Sequence, residues 1–208
     1  MMTAPLIAIL AGGEGRRMGG GKPLRRLGGE RLVDRAERLA RHWSDDVRLS
    51  LRQPGQVDGL GLPALIDDPG TPGPLAGLQS ALAAAREAGR PAVLTIPCDV
   101  PFLPRDLSDR LAAAAGPAAL AASDDDLHPA CAWWAAETLD ALPGYLASGR
   151  RSLLGFAETV GYTAVRWPGD RFLNVNSPAD LAEAERRLAS EIDELDRRAP
   201  IERRAPGP

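Results

Sequence analysis

Two short runs in this chain, Leu6–Leu10 and Ala92–Ile96, carry almost no polar side chain. A strand with one face in water alternates polar and apolar residues. A run of this kind must be covered on both faces, which is the mark of an interior strand in a mostly parallel sheet. Each run stops abruptly. Leu10 gives way to a glycine-rich segment, and Ile96 to Pro97-Cys98-Asp99-Val100-Pro101-Phe102-Leu103-Pro104, whose prolines rule out regular structure. The chain is therefore confined to α/β architectures in which the loops at the carboxyl ends of buried strands form the working rim.

The remaining pattern agrees. Val33, Ala36, Leu39 and Ala40 fall at helical spacing up to Trp43, Val47–Leu51 alternates as a strand, and a short strand follows at Ala64–Ile66. The turn-rich Asp67–Pro74 leads into a helix from Leu75 to Ala88, with Pro74 at its first position and Gly89 ending it. Further on the sequence predicts a helix over Leu107–Ala115, strands over Ala118–Ala122 and His128–Trp134, a helix to Ala147, and weak alternation over Tyr162–Trp167. Phe172–Asn176 reads as a last strand ending at Ser177-Pro178, the N-cap and first position of a helix from Ala179 to about Asp196. Alternating strands and helices imply right-handed βαβ units. One domain spanning 1–196 is expected, with a polar, Pro-rich tail over 197–208 expected to be disordered.

At 208 residues the chain can bury one sizeable core. A net charge of −3, with no basic tract outside the glycine-rich segment, argues against sequence-independent nucleic-acid binding. No stretch approaches the length of a membrane span, and the N-terminus lacks a basic region ahead of its short apolar run. Two cysteines far apart suit a reducing compartment, so a cytoplasmic protein is expected, and a monomer.

The glycine-rich segment holds the most specific chemistry. It runs Leu10-Ala11-Gly12-Gly13-Glu14-Gly15-Arg16-Arg17-Met18-Gly19-Gly20-Gly21-Lys22-Pro23, and Lys22 is the one lysine among 25 lysines and arginines. An ammonium is a compact charge with rotatable donors, suited to a phosphate in a tight loop where a planar guanidinium does not fit. Successive backbone N–H groups after a strand form an anion cradle, which Arg17 and Lys22 would close. The segment is not a Walker A loop, since Arg16 and Pro23 stand where that motif needs Gly and Ser or Thr; nor is it the dinucleotide fingerprint, whose third glycine falls at Met18.

Asp99 follows the central strand between two prolines. Such a carboxylate holds Mg²⁺ beside substrate phosphates, or caps its loop through backbone N–H groups. Asp68 either belongs to turn chemistry or accepts the N–H donors of a guanine. Asn174 and Asn176, at alternate positions, either cap a strand end or face a pterin or a metal shell. His128, Cys131 and Cys98 lack the paired spacing of a zinc site, and two histidines offer little acid–base capacity.

These residues together resemble the molybdenum cofactor guanylyltransferase family within the nucleotidyltransferase superfamily. The resemblance rests on Leu10-Ala11-Gly12-Gly13 with Arg17-Met18-Gly19-Gly20-x-Lys22, on Gly73-Pro74-Leu75-Ala76-Gly77-Leu78, on Pro97-Cys98-Asp99-Val100-Pro101-Phe102, on His128-Pro129 and on Asn174-Val175-Asn176-Ser177-Pro178, and covers nearly the whole chain. It implies a Rossmann-like three-layer α/β/α sandwich with a mostly parallel mixed sheet. It also implies transfer of GMP from GTP to molybdopterin with Mg²⁺. By motif position, Leu10, Ala11, Gly12 and Gly13 would contact GTP, Lys22 and Arg17 its phosphates, Asp68 the nucleotide, Asp99 the Mg²⁺, and Asn174 and Asn176 the acceptor. Where the family often has Asn, this chain has Ser50, a shorter nucleotide contact. Molybdoenzyme chaperones or cofactor-insertion proteins are the implied partners. The rival readings are a cytidylyltransferase for molybdopterin, a sugar-phosphate nucleotidyltransferase, a glycosyltransferase and a non-catalytic GTP-binding chaperone.

Overall fold

The computed structural model describes residues 4–12, 21–71, 73–114 and 116–198. Its elements are β1 (Leu6–Leu10), a small hairpin of β2 (Arg26–Leu27) and β3 (Glu30–Arg31), α1 (Leu32–Trp43), β4 (Val47–Leu51), β5 (Ala64–Ile66), α2 (Pro74–Glu87) and β6 (Ala92–Pro97). There follow α3 (Leu107–Ala113), β7 (Ala118–Ala122), β8 (Leu127–Ala135), a 3₁₀ turn over Ala136–Ala141, α4 (Leu142–Ala147), α5 (Leu153–Val160), β9 (Tyr162–Arg166) and α6 (Pro178–Arg198).

Seven strands form one sheet in the order β5-β4-β1-β6-β8-β7-β9. The β5-β4-β1-β6 half is parallel; β8 runs antiparallel to both neighbours, and β9 returns parallel to β7. The two continuous apolar runs are its centre: β1 pairs with β6 from Leu6↔Val93 to Leu10↔Pro97. Their side chains alternate between two cores. Ile7, Ile9, Leu94 and Ile96 pack with Val33 and Ala40 of α1 and Leu107 and Leu111 of α3. Leu6, Ala8 and Val93 pack on the opposite face with Leu75, Leu78 and Leu82 of α2 and Phe156 of α5. That is the three-layer sandwich. A third cluster, Leu27, Leu32, Phe102, Val175 and Ala184, seats α6 on the hairpin.

Three expectations are corrected. Phe172–Asn176 is not a strand: the Val175 N–H donates to the Asp99 carbonyl at 2.8 Å and the Asn176 N–H to the Asp180 carboxylate at 2.9 Å, so the backbone is satisfied by a loop and a helix cap and no ladder forms. The single helix expected before Ala147 is a 3₁₀ turn followed by the short α4. The β2–β3 hairpin and α5 are additional elements; α5 begins at Ser152, whose side chain accepts from the Gly155 N–H. Gly13 and Arg17 of the glycine-rich segment lie outside the described residues.

Candidate active site

The carboxyl ends of β1, β4, β5 and β6 form one rim, held in register by bonds that extend the ladders. The Ala11 N–H donates to the Ser50 carbonyl (3.0 Å), the Cys98 N–H to the Leu10 carbonyl (3.2 Å) and the Asp67 N–H to the Leu51 carbonyl (2.8 Å). Gln56 braces the same edge, donating to the Ala11 carbonyl (3.2 Å) and accepting from the Arg52 N–H (3.0 Å). Below this rim lies a cavity of about 310 Å³ lined by Leu10, Gly12, Ser50, Asp67, Asp99 and Asn174 among others.

Lys22 begins a 3₁₀ turn whose cap, Gly21, has φ 61°, a conformation that suits glycine. Its Nζ reaches both the Asp99 carboxylate and the Asn176 side-chain oxygen. The Lys22 and Asp99 side chains are 13% and 12% exposed, so the pair is largely withdrawn from water. Breaking one partner of such a pair leaves an uncompensated charge. The three come from distant parts of the chain. Asp99 is fixed because its loop buries Val100, Phe102 and Leu103. Asn176 is fixed by the start of α6, where Ser177 Oγ accepts from the Asp180 N–H (3.2 Å) and the Asp180 carboxylate accepts from Asn176 N–H (2.9 Å) and Ser177 N–H (2.8 Å). These bonds, the Asn176 N–H first, hold the Asp180 carboxyl below its ordinary range.

On the β4–β5 side the structure brings to the cavity a carboxylate, Asp67, that the sequence reading passed over. The Ser50 hydroxyl donates to the Asp67 carboxylate at 2.8 Å, and both line the cavity. Burial raises the Asp67 pKa against the opposing pull of Ser50 and Arg52. Asp68 instead turns onto its own loop, accepting from the Gly70 N–H at 2.9 Å and lying 3.4 Å from Thr71 Oγ1, while lining an adjoining depression with Arg52 and Thr71. The strand period carried one residue past β5 finds Asp67: it shares a face with Leu65, which packs on α2, and Leu65 pairs with Ser50. Two glycines make room here. A Cβ on Gly12 would lie 2.9 Å from Asp67 Oδ2, and one on Gly77 would lie 2.4 Å from Ser50 Oγ. The α2 N-terminus, opened by Gly73 and Pro74, faces the same cavity and presents the positive end of its dipole.

Asn174 lines this cavity and also a second one, of about 370 Å³, that shares Pro97 and Ala130 with it and continues to His128 and Phe172. The rim thus brings together Leu10, Gly12, Ser50, Asp99 and Asn174 in one cavity, with Ala11 and Lys22 in a small recess beside Asp99. Among the described residues no group of three His, Cys, Asp or Glu side chains is arranged to cage a metal ion. Cys98 and Cys131 are free and buried, and burial pushes both thiols up, away from the thiolate a metal or a nucleophile needs. Asp99, which lines both the cavity and the recess beside Lys22, fits an ion that takes one or two carboxylates and completes its shell with phosphates and water.

A mostly parallel sheet with a glycine-rich segment following its first strand, a lysine at the end of that segment and a carboxylate after its central strand defines a nucleotidyltransferase, an enzyme moving a nucleotidyl group between phosphates. Residues 7–160 match the MobA-like NTP transferase domain. The molybdenum cofactor guanylyltransferase of Cereibacter sphaeroides (strain ATCC 17029 / ATH 2.4.9) is 42% identical over 181 residues, covering 85% of this chain and 93% of that one. Among solved structures, molybdopterin-guanine dinucleotide biosynthesis protein A from Archaeoglobus fulgidus superposes with a TM-score of 0.69 at 23% identity over 88% of this chain and 98% of that one. A Mycobacterium tuberculosis protein solved in complex with manganese superposes with a TM-score of 0.65 at 15% identity over 88% and 99% of the two chains. The chain belongs to the MobA-like NTP transferase family and, within it, to the molybdenum cofactor guanylyltransferases.

Proposed function

We propose that this enzyme transfers GMP from GTP to the terminal phosphate of molybdenum-loaded molybdopterin, giving the guanine dinucleotide cofactor and pyrophosphate. The observation that carries the reading is the Lys22–Asp99–Asn176 constellation, set beside a cavity that continues into a second one. An oxygen of the acceptor phosphate forms a bond to the α-phosphorus of GTP. The bond from that phosphorus to the bridging oxygen of the β-phosphate breaks, and pyrophosphate leaves with the electron pair. The acceptor phosphate is already mostly ionised near neutral pH, so the chain supplies no nucleophile. Its task is to hold two polyanions together and neutralise the charge that develops.

Leu10, Ala11 and Gly12, followed by Gly13, offer backbone to the nucleotide. An ammonium has three donors; Asp99 and Asn176 take two from Lys22, leaving the third for a phosphate oxygen. Arg17 adds a second cation from the same glycine-rich segment. Ser50 and Asp67 accept from the base N–H groups on the nucleotide side, with Asp68 closing the adjoining loop, while Asn174 and Asn176 hold the acceptor side. Asp99 is the residue that would hold Mg²⁺, which when bound neutralises phosphate charge. No helix among the described residues is long and apolar enough to cross a membrane, and we place the enzyme in the cytoplasm, handing its product to molybdoenzyme chaperones or cofactor-insertion proteins.

The test is pyrophosphate release with each of GTP, CTP, ATP and UTP, with and without molybdenum-loaded molybdopterin. Release with GTP alone among the nucleotides, and only when the acceptor is present, is expected. Equal release with CTP, or GTP binding without release, would overturn the reading. Asp99→Asn keeps the shape and removes the charge, so it should fold normally and lose metal-dependent turnover by about 100-fold.

A further inference from the structure

The second cavity contains polar groups that the transfer step does not use. It is lined by Asp126, His128, Cys131, Phe172 and Asn174, with Pro97 and Ala130 shared with the nucleotide cavity. An interruption in the sheet opens it. Pairing between β7 and β8 passes from Leu120↔Ala132 to Ala121↔His128, so Pro129, Ala130 and Cys131 have no partners across the strand. Pro129 has no N–H to give a ladder, and a bulge of this kind re-aims the side chains around it. His128 stacks on Phe172 with ring centroids 4.4 Å apart and planes 17° apart, making a flat aromatic wall.

Ser123 Oγ accepts from the Asp126 N–H (3.3 Å), faces the Asp126 carbonyl (3.4 Å) and lies 3.0 Å from His128 Nε2. Ser123 thus occupies Nε2, and in the neutral ring that donates its Nε2 proton to Ser123 the Nδ1 lone pair is left to accept from a ligand. Burial lowers the His128 pKa, against the pull of Asp126 and Asp170, which favours this neutral form. The Asp126 carboxylate and the Asn174 amide make no hydrogen bond within the described residues. The cavity therefore offers a flat wall and two acceptors, with an amide beside them. That suits a planar heteroaromatic ring whose edge presents adjacent N–H donors.

We propose that this cavity binds the 2-amino-4-oxopyrimidine edge of the acceptor's pterin, with the Asp126 carboxylate and His128 Nδ1 accepting from its ring N–H and 2-amino groups. The inference rests on the guanylyl-transfer reading, since that reaction makes a pterin the acceptor. Guanine carries the same edge, and the position of the cavities separates the two sources. Ser50 and Asp67 form an acceptor pair in the first cavity, beside the β1 loop and the α2 N-terminus, and Asp126 and His128 form another in the second. The two cavities meet at Pro97, Ala130 and Asn174, next to Asp99. A product with one such edge at each end and phosphates between them spans this arrangement.

Fluorescence titration with pterin (2-amino-4-oxopteridine) tests it, with lumazine, which has oxygen in place of the 2-amino group, as control and GTP affinity by calorimetry alongside. Wild type should bind pterin at least tenfold more tightly than lumazine. Asp126→Asn and His128→Phe should each weaken pterin binding and raise the acceptor KM about tenfold, with GTP affinity unchanged within twofold, which also shows that the variants fold. Equal binding of pterin and lumazine, no pterin binding by wild type, or unchanged pterin binding and acceptor KM in both variants would overturn the proposal. So would a loss of GTP affinity with pterin binding intact, since the cavity would then hold guanine. The titration needs no turnover. Pterin binding without pyrophosphate release would leave the cavity assigned and reject the transfer reading; acceptor-dependent release with unaffected variants would do the reverse.

Discussion

Lys22 shows how much one side chain can depend on its shape. Its ammonium reaches both the Asp99 carboxylate and the Asn176 side-chain oxygen. A guanidinium placed there would have to meet the same two acceptors with a rigid planar fork and would project further. Lys22→Ala should lower kcat about 100-fold or more, the loss typical of a removed charge-stabilising donor, and Lys22→Arg should recover little of it. Steady-state pyrophosphate release measures both; an arginine variant near wild type would reject the argument from shape. Asp67 makes a different case. Because burial raises its pKa in the folded chain, ionised Asp67 subtracts stability above its unfolded pKa, and the penalty fades as pH falls through the raised folded value, where the group takes up a proton. Asp67→Asn should therefore melt higher than the parent at pH 7, with the difference closing as pH approaches about 4, near the ordinary carboxylate value. A constant difference across that range would show that the gain has another origin. A carboxylate kept at a cost to stability is expected where it serves binding.

At the level of elements, the contact between α2 and β4 decides the shape of the nucleotide cavity. Gly77 lies inside a helix, where alanine is ordinarily better by about 1 kcal/mol. Here the added Cβ would meet Ser50 Oγ at 2.4 Å and Leu10 Cδ2 at 3.1 Å. Overpacking of this kind costs about 1–3 kcal/mol and outweighs propensity. Gly77→Ala should lower Tm and GTP affinity together, and adding Ser50→Ala, which removes the nearest atom, should restore part of the Tm but not the affinity. Thermal melts and calorimetry on both variants check this. Elements also mark where the sequence was legible. Continuous apolar runs revealed β1 and β6, and with them the loops bearing Lys22 and Asp99, because burial on both faces leaves a pattern in one strand alone. The apolar positions in Phe172–Asn176 are equally real: Phe172 and Val175 are buried, but three residues apart and not at the strand period. Yet an apolar pattern records which side chains go inside and says nothing about where the backbone N–H groups go, and here they go to Asp99 and Asp180. Asp67 was missed for the opposite reason. Turn chemistry drew attention to Asp68, while the strand period, extended one residue, pointed to its neighbour.

Across the whole molecule the rim is built from two separate stretches of chain. The nucleotide half comes from β1, β4, β5 and the α2 N-terminus; the other half comes from the β8 bulge and the segment that leads into α6. They are joined where the Val175 N–H meets the Asp99 carbonyl and where Asn176 meets Lys22. Asn176 meets Lys22 only where the two halves join, and α6 with its capping pair, Ser177 and Asp180, holds Asn176 there. Residues in direct contact couple, and residues without shared partners add. A double-mutant cycle on kcat/KM with Lys22→Ala and Asn176→Ala should therefore be strongly non-additive, the second change costing much less once the first is made. A parallel cycle with Ser50→Ala and Asp126→Asn, one in each half, should be additive within about 0.5 kcal/mol. Additivity in the first cycle would mean that Asn176 merely precedes the α6 cap and takes no part in positioning Lys22. Coupling in the second would mean that the two halves close on their ligands as one unit, with the sheet between them transmitting the fit.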